Sequence, residues 1–174
     1  MSLGLLVLRV VVGVLFAGHG AQKLFGAFGG AGPEGTASFF EKAGLRPGRV
    51  HAYAAGWAEF GGGLLLALGL LTPFAAAALI GVMTAAVISV HASKGPWVTE
   101  GGFEYNLVLV AAAFALAAVG PGSWSLDSAL RLDLAGTGWA LAALGAGLLG
   151  GLGAIVSGSL QDHRHHHQPG VHSA

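Results

Sequence analysis

The sequence predicts an all-α integral membrane protein: a four-helix antiparallel transmembrane bundle plus a fifth C-terminal transmembrane helix. Three observations lead there. Hydrophobic residues make up 54% of the 174 and charged residues 9%, with a mean hydropathy of +0.71, whereas an ordinary soluble domain is about 25% charged. Apolar runs of spanning length, about 20 residues each, fall at 3–25, 53–71, 73–91, 104–120 and 134–156. The links between them are short or rich in turn residues, and a glycine pair, Gly147 and Gly151, comes late. The fifth helix is therefore expected to pack on the outside of a bundle built by the first four.

Composition also excludes functions. Eight Lys plus Arg balance eight Asp plus Glu, so there is no basic field to hold nucleic acid. Without cysteine the chain supplies no disulfide relay, thiolate nucleophile or cysteine-ligated cofactor. Redox chemistry here requires a bound cofactor or a partner. The 31 glycines suit close helix–helix contact in an apolar chain. The first apolar run lacks a basic segment ahead of Arg9 and continues past Phe16, so it reads as a retained span rather than a cleaved leader.

In the first helix a step of about 100° per residue lines up Arg9, Gly13, Phe16, Gly20 and Lys23, with His19 at the edge. That stripe faces protein. Residues 26–50 break the pattern with glycines, Pro33 and Pro47; Thr36 or Ser38 is expected to cap a two-turn helix ending at Gly44. Its Phe39 and Phe40 suit a position in the interface or folded back over the bundle. The second span puts Ala52, Ala55, Gly56, Glu59 and Gly63 on one side, a carboxyl group amid a small-residue packing face. Glu59 then either takes a donor such as His19 or Lys23, or keeps its proton.

The segment 71–73 allows only a tight hairpin into the third span, whose Ala77, Thr84 and His91 share a face. Glu104 opens the fourth span, where the helix dipole favours a carboxylate. Gly147 and Gly151 give the fifth span a small-xxx-small packing face. The terminal run from Gln161 through His167 reads as a solvated end or incidental metal binder, not a built metal site, for want of an ordering second shell. Lys23, Lys42, Arg46, Arg49, Lys94 and Arg164 collect on one side, against Arg131 and Arg9 on the other. The first loop, third loop and tail are accordingly expected in the cytoplasm of a multi-pass plasma (inner) membrane protein, with the N-terminus outside.

Five motifs occur in register: Gly18-His-Gly-Ala-Gln-Lys23, Thr36-Ala-Ser-Phe-Phe-Glu-Lys-Ala-Gly-Leu45, Glu59-Phe-Gly-Gly-Gly63, Gly102-Phe-Glu-Tyr105 and Gly120-Pro-Gly-Ser-Trp-Ser-Leu-Asp127. Together they resemble the DoxX family over residues 3–128. The resemblance implies a four-helix membrane domain over 1–128, followed by an extra helix at 129–158 and a His-rich polar tail at 159–174. It also implies kinship with small membrane subunits associated with quinone-linked oxidoreduction.

Ionisable residues inside apolar helices mark candidate sites. His19, Lys23, Glu59, His91 and Glu104 are the candidates for a pocket holding a quinone-like head group or lipid. Within that set Glu59 and His19 are the proton-handling pair, and no residue is assigned to metal. The structural alternative has Lys23 and His91 reaching the interface, Glu104 capping its helix and Glu59 in an interhelical hydrogen bond. Arg9 is read as an interfacial or packing residue. Two functions follow: a quinone-interacting subunit of an oxidoreductase or respiratory-type complex with a protein partner, or a non-catalytic anchor packing against a larger complex.

Overall fold

The computed structural model describes residues 2–165, with side chains through residue 159. Seven helices follow one another: α1 (Ser2–Phe25), α2 (Gly32–Lys42), α3 (Gly48–Leu68), α4 (Thr72–Ala86), α5 (Glu104–Val119), α6 (Leu126–Ala129) and α7 (Thr137–His165). Beyond Ala86 the α4 chain continues through a π-helical turn at Val87–His91 and a tight turn at Ala92–Lys94. Three stretches, Ser2–Phe25, Thr72–Lys94 and Thr137–Ser159, are long and apolar enough to cross a membrane, and Glu104–Val119 is a shorter apolar helix.

Close backbone approach builds the α1–α3 pair. The buried residues of α1 include Arg9, Gly13, Phe16 and Gly20, the stripe that the helical period predicts. They meet the glycine face of α3. A Cβ added at Gly63 would lie 2.5 Å from Ala17 N and from Gly13 O, so the two helices are in contact along their backbones. In lipid, where apolar side chains gain nothing by leaving the solvent, such van der Waals packing holds helices together.

Two apolar clusters divide the interior. Val12 and Phe16 from α1, Leu66 from α3, Leu79 and Met83 from α4, and Leu109 and Leu116 from α5 form one; this is the core of a four-helix bundle. Ala76 and Ile80 of α4, Ala113 and Ala117 of α5, and Ala140 and Ala143 of α7 form the other. The second seam places α7 on the outer side of α4 and α5. Gly147 and Gly151 make this contact: a Cβ at Gly151 would sit 2.7 Å from Gly81 O.

The α3–α4 hairpin is as tight as its sequence requires. Gly69 takes the left-handed conformation (φ 63°) that a side chain would strain, and the Leu70 N–H bonds back to Leu65 O at 2.9 Å. Several boundaries differ from expectation. α2 starts at Gly32 with Pro33 in its first turn and no side-chain cap, because proline is preorganised for that position; Thr36 is buried within the helix and is not its cap. α3 begins at Gly48, right after Pro47, five residues before the expected span. α7 begins at Thr137, after a left-handed Gly136 (φ 115°).

Candidate functional site

At the end of the bundle where α1 finishes and α5 begins, the helices enclose a cavity of about 740 Å³, within the range of about 300–1,000 Å³ usual for small-molecule sites. Its wall is mostly aliphatic. Against that wall stand Lys23, Glu59, His19, His51, His91 and Asn106.

The pair at its centre comes from the α1 and α3 packing faces. Lys23 Nζ donates to Glu59 Oε2 at 2.5 Å. The two side chains differ in exposure, 23% for Lys23 and 4% for Glu59, so the carboxylate is the deeper partner. Of the two donors expected for Glu59, Lys23 is the one that bonds it. His19 lines the same cavity, yet its Nδ1 pairs with Gln22 Oε1 at 3.2 Å. Among the described residues no hydrogen bond to Glu59 Oε1 is seen, and Glu59 lines the cavity.

His91 reaches the cavity through the π-helical turn, where an extra residue per turn re-aims side chains and which often occurs at functional sites. Its Nδ1 lies 2.6 Å from Gly101 O. A carbonyl only accepts, so Nδ1 carries the proton, and in the tautomer with Nε2 bare that second nitrogen is an acceptor. Glu104 stands apart. Its Oε1 accepts the Val98 N–H at 2.9 Å, at the start of the short turn Val98–Glu100 and not an N–H of its own helix, and it does not line the cavity.

Asn106 and His51 join the wall without having been expected there. Asn106 is 6% exposed and gives its amide N–H to the Met83 sulfur at 3.3 Å, a weak acceptor. A lone amide in the first turn of an apolar helix was the available signal. His51 falls between the irregular segment 26–50 and the span expected from Tyr53, and α3 includes it by starting at Gly48. Among the described residues no group of three or more His, Cys, Asp or Glu is arranged to hold a metal ion. The side chains of the terminal histidine run, 161–167, lie outside the described residues.

A second polar cluster occupies the opposite end. Arg9, 2% exposed, donates through Nη1 to Ala67 O and through Nη2 to Trp124 O, while its Nε has no partner. It is therefore a buried packing residue rather than an interfacial one. Asp127 Oδ1 accepts from Leu71 N at 2.7 Å, and its Oδ2 accepts from Thr72 N at 3.1 Å and Thr72 Oγ1 at 2.7 Å. The side chain of Asp127 thus caps the N-terminus of α4 from 55 residues away in sequence.

Comparison with known proteins gives a consistent picture. The DoxX family model matches residues 4–92. The chain is similar to "Putative oxidoreductase CatD" of Bacillus subtilis (strain 168), with 33% identity over 115 residues, 66% of this chain and 79% of that protein. It is similar to "Inner membrane protein YqjF" of Escherichia coli (strain K12), with 30% identity over 130 residues, 75% of this chain and 94% of that protein. No solved structure matches it.

Proposed function

Because the chain belongs to the DoxX family of membrane proteins, we propose that it serves as an integral subunit of an oxidoreductase or respiratory-type complex in the plasma (inner) membrane and binds a quinone-like head group in the cavity at Lys23 and Glu59. The observation that carries this is the buried Lys23–Glu59 pair on the wall of an otherwise aliphatic cavity, with one carboxylate oxygen unused. A carboxylate desolvated this far is expensive to keep, and the structural carboxylate of Asp127 uses both of its oxygens. The donors fit the group: Lys23 and the Asn106 amide can hold carbonyl oxygens, and His91 Nε2 can accept from a hydroxyl.

A quinone bound here would supply acceptor chemistry for two electrons and two protons. The chain's part is to position the head group and handle protons. Lys23 orients an acceptor oxygen, Glu59 Oε1 holds or releases a proton beside it, and His19 at the cavity rim passes that proton toward water. Lacking cysteine and a metal cluster among its described residues, the chain depends on a partner protein for the redox centre. The name of the Bacillus relative, an oxidoreductase, supports this direction, and that of the Escherichia relative supports the inner membrane.

Purification with identification of co-isolated chains and extracted lipids tests the proposal. Quinone should accompany the wild type and fall to background in a folded Glu59→Gln variant, since Gln keeps the volume but cannot exchange a proton. Equal quinone in both would overturn it. The anchor alternative has one observation in its favour: Gly145 and Gly153 of α7 meet no neighbour and Leu149 is 72% exposed, a face open to a partner helix. Crosslinks from that face to a larger membrane protein, with no quinone in the preparation, would select it.

A further inference from the structure

The cavity that holds Lys23 and Glu59 extends well beyond them. Part of its lining comes from Ala54 and Ala58 of α3, Ala78 and Gly81 of α4, and Ala146 and Gly150 of α7. Helices α3 and α7 each pack on α4, so this part is a cleft between α3 and α7 with α4 as its floor. No side chain among those six is larger than a methyl group. The cleft is closed where α7 meets the α2–α3 link, since a Cβ at Gly158 would lie 3.0 Å from Leu45 Cα.

Helix packing explains some of these small residues but not all. Gly147 must be glycine because a Cβ there would come within 2.6 Å of Ile80. Gly150 lines the cavity, yet a Cβ built on it meets nothing within 4 Å. Its smallness therefore leaves volume instead of permitting a contact. We infer that the α3–α7 cleft takes the hydrocarbon tail of the amphiphile whose head group meets Lys23 and Glu59, and that α7 sets how much tail is held. The inference rests on the head-group proposal above. A tail is the occupant that suits a single continuous cavity carrying polar groups such as Lys23 and Glu59 on a wall that is otherwise mostly aliphatic.

Equilibrium binding in nanodiscs tests this with two probes, decyl-ubiquinone and the same benzoquinone bearing a methyl group in place of the decyl chain. The proteins are wild type, Gly150→Leu, Ala146→Leu and, as an outer-face control, Gly153→Leu. Both cleft variants should bind the decyl probe about tenfold more weakly or worse, the loss of roughly two buried methylenes. The methyl probe should bind them as it binds wild type, and Gly153→Leu should change neither affinity. Wild type that binds both probes, with cleft variants that lose neither or lose both equally, would overturn the tail assignment alone. Wild type that binds neither probe would overturn the head-group proposal and the tail assignment with it.

Discussion

The two polar clusters of this bundle are built from the same kinds of residue and come out differently. At one end Arg9 and Asp127 are each 2% exposed and bond backbone groups: two carbonyls for the guanidinium, and two N–H groups plus a hydroxyl for the carboxylate. At the other end Lys23 and Glu59 bond each other, line a cavity, and leave an oxygen unused. A charged residue inside a membrane helix is thus not by itself a functional site. What separates the two is where the hydrogen bonds go. Bonds to backbone tie loops and helix ends together, with Arg9 Nε left over in that cluster, while on the reading proposed above the oxygen left open beside the cavity is the one offered to a ligand.

The largest expected effect tests the closed cluster. Asp127→Ala strands the Leu71 and Thr72 N–H groups and the Thr72 hydroxyl. At about 1–3 kcal/mol for each buried donor, stability should fall by about 5 kcal/mol, read as a drop in thermal midpoint in detergent. A smaller loss comes from the open cluster. Lys23→Met leaves a 4% exposed carboxylate without its cation, costing about 3–4 kcal/mol on the scale of broken buried pairs.

Gly63→Ala forces α1 off α3 at a point where a Cβ would stand 2.5 Å from two backbone atoms. About 1–3 kcal/mol is expected for such overpacking, with weaker ligand binding as Lys23 and Glu59 separate. The smallest stability effect belongs to Glu59→Gln, about 1 kcal/mol, because the 23% exposed Lys23 can turn its ammonium to water. Comparing Lys23→Met with Glu59→Gln by thermal melting checks this asymmetry. Equal losses would mean that the pair is as closed as the Asp127 cluster.

How much of this the sequence reveals depends on how local each signal is. The α1 and α3 packing faces are legible from the helical period alone, and with them the approach of Glu59 to the His19–Lys23 end of α1, though not which of those two bonds it. The glycine pair of α7 likewise announces a contact, though not that α4 is its partner. The Asp127 cap is not legible. Asp127 belongs to α6, its donors lie at the start of α4, and no short-range pattern links positions 55 residues apart. Glu104 illustrates the opposite difficulty: its acidic side chain at a helix start fits a ligand site and a loop cap equally well, and only the position of Val98 N decides. His51 was hidden by a misplaced boundary, since Pro47 starts α3 a turn and a half before the chain becomes strongly apolar.

The most direct test pairs one variant from each end. Thermal midpoint and co-purified quinone are measured together on wild type, Glu59→Gln and Asp127→Asn. The expected outcome is a double separation: Glu59→Gln keeps a midpoint near wild type and loses its quinone, while Asp127→Asn melts well below wild type and its folded fraction keeps its quinone. A well-folded Glu59→Gln with wild-type quinone content, or a Glu59→Ala variant with unchanged quinone and turnover, would contradict the assignment of the open cluster as the ligand site.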